Sequence, residues 1–267
     1  MHLRYDPYAV FRDSQTPAGL YARQKWLAES ESSAWQSDFR KTVKRLETGQ
    51  RPDGSWQQSE LETITRLFGL HLTVREPDAG ITAGLDWLLG RLAHPPENRT
   101  VRPAPDDSLF RGLPFVPGDP EALLQGGVLF LATIFGRSRD PGIRERYRAM
   151  DGGLFSGPAV WSDPRATSNL FRALVVHPEF SRTNAVRAAV RQLADLQSAD
   201  GDWQPPLPFY QILNALAHLD CPEADQQLAR AFDQLAARQN KDGSWGRFDP
   251  EWNTFLAVHA LRNKGHL

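Results

Sequence analysis

Five carboxylates stand at the beginning of apolar segments of this chain, where a carboxylic acid could donate a proton to a bound molecule. An acid in an apolar pocket keeps its proton because burial disfavours the charged form, and a protonated acid is a proton donor. The same positions suit a helix N-cap, so both roles stay open. The predicted catalytic residues are Glu60, Glu62, Asp119, Asp163 and Asp249.

Aromatic side chains on the same apolar segments form a second group that could do chemistry. Their ring faces can stabilise a positive charge, and their surfaces suit lipophilic molecules. Bulky aromatics on buried helices are also ordinary core residues, so this alternative stays open. The predicted substrate-binding residues are Phe68, Phe130, Phe171, Phe209, Tyr210, Trp252, Phe255 and His259.

Four histidines, His71, His177, His218 and His259, also fall on apolar segments. A lone helical histidine usually packs and forms hydrogen bonds, and no His-x3-His spacing favours a metal site. Cys221 is the only cysteine, which excludes an internal disulfide and a cysteine-rich zinc site. We therefore expect no metal and no cofactor.

A repeated turn must position these residues. The pattern Leu-x3-Gln-x2-Asp-Gly-x-Trp occurs at 46–56, 193–203 and 235–245, with its glutamines 147 and 42 residues apart. The longer gap has room for about two more units, and degenerate copies stand at 107–110 and 151–155. We expect the glutamine to bind free backbone groups at a helix end, the tryptophan to cover a joint between helices, and the aspartate to bond its own turn.

The segments between the turns have a helical period. An amphipathic segment such as 184–197 precedes a turn, and a more apolar segment follows it. Asp-Pro pairs at 119–120, 163–164 and 249–250 suit an N-cap with proline at the first helical position. The apolar segments are 16–30, 61–72, 121–135, 167–176, 209–219 and 252–261.

These segments predict an all-α fold, an α/α toroid in which about six inner helices alternate with five outer ones. Six apolar helices can close into a ring around a central space, and an open α-solenoid is the alternative architecture. Because the turns are spread along the whole chain, we predict a single domain over residues 1–267.

The turns resemble the QW motif of the prenyltransferase/squalene-oxidase repeat family, in which glutamine and a short spacer precede Gly-x-Trp. The matching segments are Gln50–Trp56, Gln197–Trp203 and Gln239–Trp245. The family includes triterpene cyclases, class II diterpene cyclases and the β subunits of protein prenyltransferases. The resemblance implies a toroid that holds an isoprenoid or similar lipophilic substrate.

The chemical motifs of that family are missing. The Asp-x-Asp-Asp of class II cyclases does not occur, and Asp106-Asp107 is better explained as part of a turn. Asn253 stands where protein prenyltransferases have a zinc-ligating histidine, and no Asp-x-Cys pair exists. Scattered arginines, namely Arg66, Arg165 and Arg172, are predicted to be surface or packing residues.

Two functions follow from this. The first is a terpene-cyclase-like protein that holds an isoprenoid or other lipophilic substrate in the toroid's central cavity, and its finer form is an acid-initiated cyclase or isomerase with a non-standard acid. The second is a non-catalytic toroid, similar to a prenyltransferase β subunit without its zinc site, that binds a lipophilic ligand, a protein partner or another copy of itself.

The bulk composition narrows the class further. The net charge is −1, from 31 basic and 32 acidic residues. The chain therefore lacks the strong positive charge that is usual for a nucleic-acid-binding protein. No segment reaches the roughly 18 apolar residues that a transmembrane helix needs. The N-terminus lacks the apolar region of a signal peptide. We expect a soluble, cytoplasmic protein.

Overall fold

The computed structural model describes residues 2–94, 111–153, 155 and 159–267, and within these ranges the regular structure is helical. Eleven α-helices follow one another in chain order. They are α1 (Pro17–Lys25), α2 (Ser33–Glu47), α3 (Glu60–Thr73), α4 (Ala79–Ala93), α5 (Pro120–Ala132), α6 (Pro141–Gly153), α7 (Pro164–Val176), α8 (Asn184–Asp195), α9 (Phe209–Leu216), α10 (Pro222–Ala237) and α11 (Pro250–Asn263).

The odd-numbered helices form a closed inner ring. Each contacts the next odd-numbered helix, and α11 returns to contact α1. Each even-numbered helix packs outside the inner helix that precedes it. The six inner and five outer helices of the described chain therefore confirm the predicted toroid, and the open solenoid is excluded. Because one outer helix returns the chain between successive inner helices, the inner helices all run in the same direction.

The two layers differ in polarity, as their sequences predict. The inner helix α5 buries ten of its thirteen residues, whereas the outer helix α8 buries only one face, formed by Val186, Ala189, Val190 and Leu193. Gly126 lets α5 approach α7 closely, because a Cβ atom there would lie 2.4 Å from the Asn169 carbonyl oxygen. Among the described residues, no helix is long and apolar enough to cross a membrane.

The repeated turns link neighbouring helix pairs through their glutamines. Gln50 Nε2 donates to Gly54 O of its own turn at 3.0 Å and to Gly80 O of α4 at 2.7 Å. Gln197 Nε2 donates in the same way to Gly201 O at 2.9 Å and to Gln227 O of α10 at 3.0 Å. The tryptophans of the three turns are at most 2% exposed. Each of these two glutamines therefore bonds its own turn and a neighbouring outer helix, whereas the predicted binding of free groups at a helix end and the predicted role of the tryptophan stay predictions.

The third turn closes the ring against the N-terminal segment. Gln239 Nε2 donates to Gly243 O and to Tyr5 O, each at 3.1 Å, and Gln239 Oε1 accepts from the backbone N–H groups of Arg4 and Tyr5. Gly243 has a φ of 87°, and a Cβ atom there would lie 2.0 Å from Asp6 O. The N-terminal segment thus takes the place that an outer helix takes beside the other two turns.

The degenerate copies of the turn behave differently. The copy at 107–110 lies outside the described residues. The turn predicted at 151–155 is wrong in its first part, since α6 continues through Gly153. Arg148 stands where the other copies have glutamine, so the bonds that the glutamine makes elsewhere cannot form here. Phe155 nevertheless is fully buried, with its ring centroid 6.2 Å from that of Phe171.

Candidate functional site

Four aromatic side chains from three inner helices meet in the centre of the ring. We call Phe68, Phe130, Trp252 and Phe255 the aromatic cluster. Phe68 of α3 lies 5.8 Å from Phe130 of α5 and 5.9 Å from Trp252 of α11, and Trp252 stacks on Phe255 at 5.1 Å, measured between ring centroids. Each of these side chains is at most 5% exposed. The ring's centre therefore has an apolar, aromatic wall.

The segment 111–116 crosses this side of the ring. Trp252 Nε1 donates to Leu113 O at 2.9 Å. Asn169 of α7 holds Val116 through two bonds, accepting from its N–H at 2.9 Å and donating to its carbonyl at 3.1 Å. The Phe115 ring lies 5.6 Å from Phe130. Buried backbone groups of the segment thus find partners, as a segment inside a core requires.

A second cluster of polar side chains lies beside the aromatic one. We call Arg172, His71, His218 and His259 the arginine–histidine cluster. The Arg172 guanidinium carbon lies 5.2 Å from the centroid of the Phe130 ring, and the His71 ring lies 6.5 Å from it. The His218 and His259 rings are 5.4 Å apart. The three histidines keep partial exposure although they belong to the inner layer.

The arginine–histidine cluster has several buried polar atoms without a hydrogen-bond partner among the described residues. Arg172 is 7% exposed, and neither its Nε nor its Nη1 donates a hydrogen bond there. His71 Nδ1 and His218 Nε2 also have no partner, and the same holds for Oδ1 of the adjacent Asn214. Unpaired buried groups also occur elsewhere in the described chain, as at Trp56 Nε1 and Trp203 Nε1 of the turns. Here several of them surround one buried charge, which is an arrangement that a further group could complete.

The charges of this cluster are all of one sign. Burial lowers the pKa of Arg172 to about 9, which leaves the guanidinium protonated at neutral pH. Burial also lowers the pKa of His71 and His259 to about 4, and that of His218 well below its ordinary value, with the Arg172 charge adding to each shift. The histidines are therefore neutral near pH 7, and Arg172 carries the charge.

The protein compensates the Arg172 charge only in part. Among the described residues, no carboxylate forms an ion pair with it. Its contact with Phe130 is worth only about 0.5–2 kcal/mol. Burying an ion costs several kcal/mol by the usual order-of-magnitude estimate. The balance favours an anionic partner.

The predicted acids occupy the N-terminal ends of inner helices. Glu60 pairs with Arg91 at 2.8 Å, and Glu62 pairs with Arg66 at 2.7 Å. The side chains of Asp119 and Asp163 cap α5 and α7, as their Asp-Pro pairs predict.

The cap predicted for Asp249 is wrong. This residue has a φ of 50°, outside the extended region that an N-cap normally adopts, and its side chain accepts no capping bond. Within the described residues, the hydrogen bonds and ion pairs of the other four acids join them to neither central cluster. A catalytic role for any of the five stays a prediction.

Five of the eight predicted substrate-binding residues come together. These are the aromatic cluster and His259, whose ring lies 5.9 Å from Phe255. Phe171 packs elsewhere, against Phe155 and Trp161. Phe209 lies against Trp203 of the second turn, and Tyr210 lies against Phe209. A substrate-binding role stays a prediction for all eight residues.

The sequence analysis did not predict Arg172 as a functional residue of this site. Arg172 is buried in the ring, whereas Arg66 pairs with Glu62 and Arg165 is exposed. The available signal was its setting, because Leu170, Phe171, Ala173 and Leu174 surround it with apolar residues. Trp26 and Tyr21 were missed as well, and their rings lie 5.2 and 5.4 Å from Phe255.

The meeting of His218 and His259 does not create a metal site. In the part of the chain that the structure describes, no group of three or more His, Cys, Asp or Glu side chains could hold a metal ion. The Arg172 charge beside the two imidazoles also disfavours a cation.

No protein-family model and no curated protein matches this sequence. Solved structures do match. A crystal structure of a protein from Actinoplanes has 20% identity and a TM-score of 0.56, and the match covers 97% of this chain and 90% of that one.

Two structures of the type II terpene cyclase MstE from Scytonema match as well, each a variant in complex with its substrate, geranylgeranyl dihydroxybenzoate. One has 13% identity and a TM-score of 0.55, covering 98% of this chain and 88% of that one. The other has 13% identity and a TM-score of 0.54, covering 97% and 87%. At these identities the likeness is one of fold: this chain has the toroid of a type II terpene cyclase.

Proposed function

We propose that this protein is terpene-cyclase-like and holds an isoprenoid or another lipophilic substrate in the centre of its ring, against the aromatic cluster. The observation that carries the proposal is the convergence of Phe68, Phe130, Trp252 and Phe255 from three inner helices of a closed toroid. The shared fold with MstE, whose substrate carries a geranylgeranyl group, supports the same ligand class.

Two partly exposed aromatic residues support a path to the cluster. Trp26 stacks on Phe255, and Tyr21 packs edge-on against the same ring. Tyr21 belongs to α1 and Trp26 directly follows it. Both lie at the end of the ring where the histidines also keep partial exposure. A prenyl chain that enters here would cover Trp26 first and then reach Phe255.

Acid-initiated cyclisation or isomerisation is the finer form of this proposal. It requires a protonated acid near the substrate, and the candidates are Glu60, Glu62, Asp119, Asp163 and Asp249. The five alanine variants should fold normally, and one of them should lose turnover of geranylgeraniol or its diphosphate, followed by mass spectrometry of extracted products. Retained turnover in all five variants would exclude these residues as the proton donor. A wild-type protein that binds the substrate without turnover would favour the non-catalytic alternative.

Binding itself can be tested with two half-buried tryptophans. Calorimetric titration with geranylgeraniol should give saturable binding, and Trp26→Ala should weaken it by about tenfold, since an aromatic contact area is lost. Trp87→Ala is the matched control, because Trp87 is also partly buried but lies on the outer helix α4. No binding by the wild type, or equal weakening in both variants, would contradict a ligand in the ring's centre.

A further inference from the structure

We propose that the arginine–histidine cluster is a binding site for an oxyanion, a carboxylate or a phosphate, carried by the lipophilic ligand. The lipophilic part of this statement rests on the proposed function. The oxyanion part rests on the cluster alone.

The guanidinium of Arg172 provides the main contact. It is 7% exposed, and its Nε and Nη1 donate no hydrogen bond to any described residue. Both donors belong to the planar guanidinium, whose N–H groups form charge-assisted hydrogen bonds with the oxygens of carboxylates and phosphates. An oxyanion would supply the acceptors and the negative charge that the described part of the ring does not.

The histidines complete the site as neutral hydrogen-bonding groups. His71 Nδ1 and His218 Nε2 have no hydrogen-bond partner in the described part of the chain, and a neutral imidazole can present an N–H at either ring nitrogen. His259 Nδ1 lies 3.4 Å from Asn214 Nδ2 and 3.4 Å from Asn263 Nδ2. Those amides suit a tautomer in which Nδ1 accepts, which leaves the other ring nitrogen of His259 as the donor.

Other ligand types suit this cluster less well. The charged groups that act on the three histidines are Arg75, Arg172, Lys264 and the histidines themselves, and none is acidic. A cation would be repelled, and a neutral ligand would leave the guanidinium charge uncompensated. Anion binding would also favour proton uptake by the imidazoles, so affinity should rise as the pH falls below 7.

The two clusters are placed to hold one molecule with two parts. The Phe130 ring lies 5.2 Å from the Arg172 guanidinium carbon and 5.8 Å from the Phe68 ring. An oxyanion on Arg172 would therefore leave an attached hydrocarbon chain beside the aromatic cluster. The predicted ligand is an amphipathic molecule with a prenyl-like chain and one acidic end.

Three compounds with the same hydrocarbon chain test this site, namely farnesol, farnesoic acid and farnesyl diphosphate. In calorimetric titrations of the whole protein, at least one of the two acids should bind about tenfold or more tightly than the alcohol, because charge-assisted hydrogen bonds are the strong ones. Whichever acid binds more tightly identifies carboxylate or phosphate as the natural group.

Variants of one helix provide the controls. Arg172→Met should bind all three compounds equally, Arg172→Lys should keep part of the preference, and Arg165→Gln, an exposed position on the same helix α7, should behave as the wild type. Circular dichroism checks that each variant is folded. A wild type that binds farnesol as tightly as both acids, or an Arg172→Met variant that keeps the preference, overturns the site.

Inorganic diphosphate separates this inference from the proposed function. At matched ionic strength it should raise the melting temperature of the wild type and leave that of Arg172→Met unchanged. If no farnesyl compound binds but this difference appears, the lipophilic ligand is wrong and the oxyanion site stands. If diphosphate has the same effect on both proteins and no acid is preferred, the oxyanion site is wrong.

Discussion

Two buried arginines of this protein lie in opposite surroundings. Arg23 of α1 is 3% exposed, and its guanidinium donates to Glu29 at 2.8 Å, to Asp38 at 2.9 Å and to the Ser14 carbonyl at 3.1 Å. Arg172 is 7% exposed and has no acidic partner among the described residues. The same side chain is thus satisfied at one place in the fold and left incomplete at another.

The difference shows which arginine has a structural role. Burial alone would lower the pKa of Arg23, but its bonds with Glu29 and Asp38 raise it above the ordinary value. For Arg172 burial acts unopposed and lowers the pKa to about 9. The chain surrounds one arginine with three acceptors, whereas Nε and Nη1 of the other have no acceptor among the described residues, in the centre of a ring where a ligand is expected. This contrast supports a binding role for Arg172.

Removal of Arg23 should have the largest effect on stability. Arg23→Met would leave Glu29 and Asp38 without their cation, and breaking a buried pair costs about 3–5 kcal/mol. Since Glu29 is 29% exposed and Asp38 16%, we expect the lower end, about 3 kcal/mol. Urea unfolding measures this value. The exposed Arg165→Met serves as the control, and a loss below about 1 kcal/mol would contradict the contrast between the two sites.

The pH dependence of stability tests the histidines of the centre. Their pKa is near 6.5 in the unfolded chain and about 4 in the folded one for His71 and His259. Between these values the unfolded state binds more protons, so stability is lost as the pH falls from about 6.5 to about 4. The expected slope is about 1.4 kcal/mol per pH unit for each histidine, measured by urea unfolding.

Single substitutions test whether the histidines of the arginine–histidine cluster cause this pH dependence of the free energy of unfolding. His259→Gln should flatten it, whereas His94→Gln, at an exposed position, should not. His177, also with a pKa lowered by burial, lies outside the cluster against Tyr147 and contributes in the same direction. A His259→Gln variant with the wild-type slope would show that His259 is not held neutral in the ring.

The alternating helices and the turns between them can be predicted from the local sequence. The helical period and the Asp-Pro pairs predict the alternation of helices, and Gln50, Gln197 and Gln239 form the bonds expected of the repeated turn. These features depend on neighbours within a few residues. A pattern that repeats along the chain therefore predicts the helices, whereas the closure of the ring depends on contacts distant in sequence, such as that of Gln239 with Tyr5.

The site depends on contacts that sequence spacing does not contain. Arg172 and His259 are on different helices, and their approach follows from the rotation of α7 and α11 about their own axes. The passage of segment 111–116 across the ring depends on Asn169 and Trp252, which are distant in sequence. The sequence around an arginine on an apolar helix does not show whether its side chain reaches solvent or the centre of the ring.

Replacement of Arg172 should have the smallest effect, and in the opposite direction to that of Arg23. Arg172→Met removes a buried charge that costs several kcal/mol, together with a contact to Phe130 worth about 0.5–2 kcal/mol. Without ligand, we therefore expect urea unfolding to show a gain of about 1 kcal/mol.

The histidines provide a second measurement of the same change. Since the Arg172 charge lowers the pKa of His71 and His259, its removal should raise both values, which NMR titration of the imidazole signals can follow. A loss of about 2 kcal/mol or more in Arg172→Met, with unchanged histidine pKa values, would mean that the ring itself compensates this charge. Arg172 would then be a structural residue like Arg23, and the contrast between them would no longer indicate a binding site.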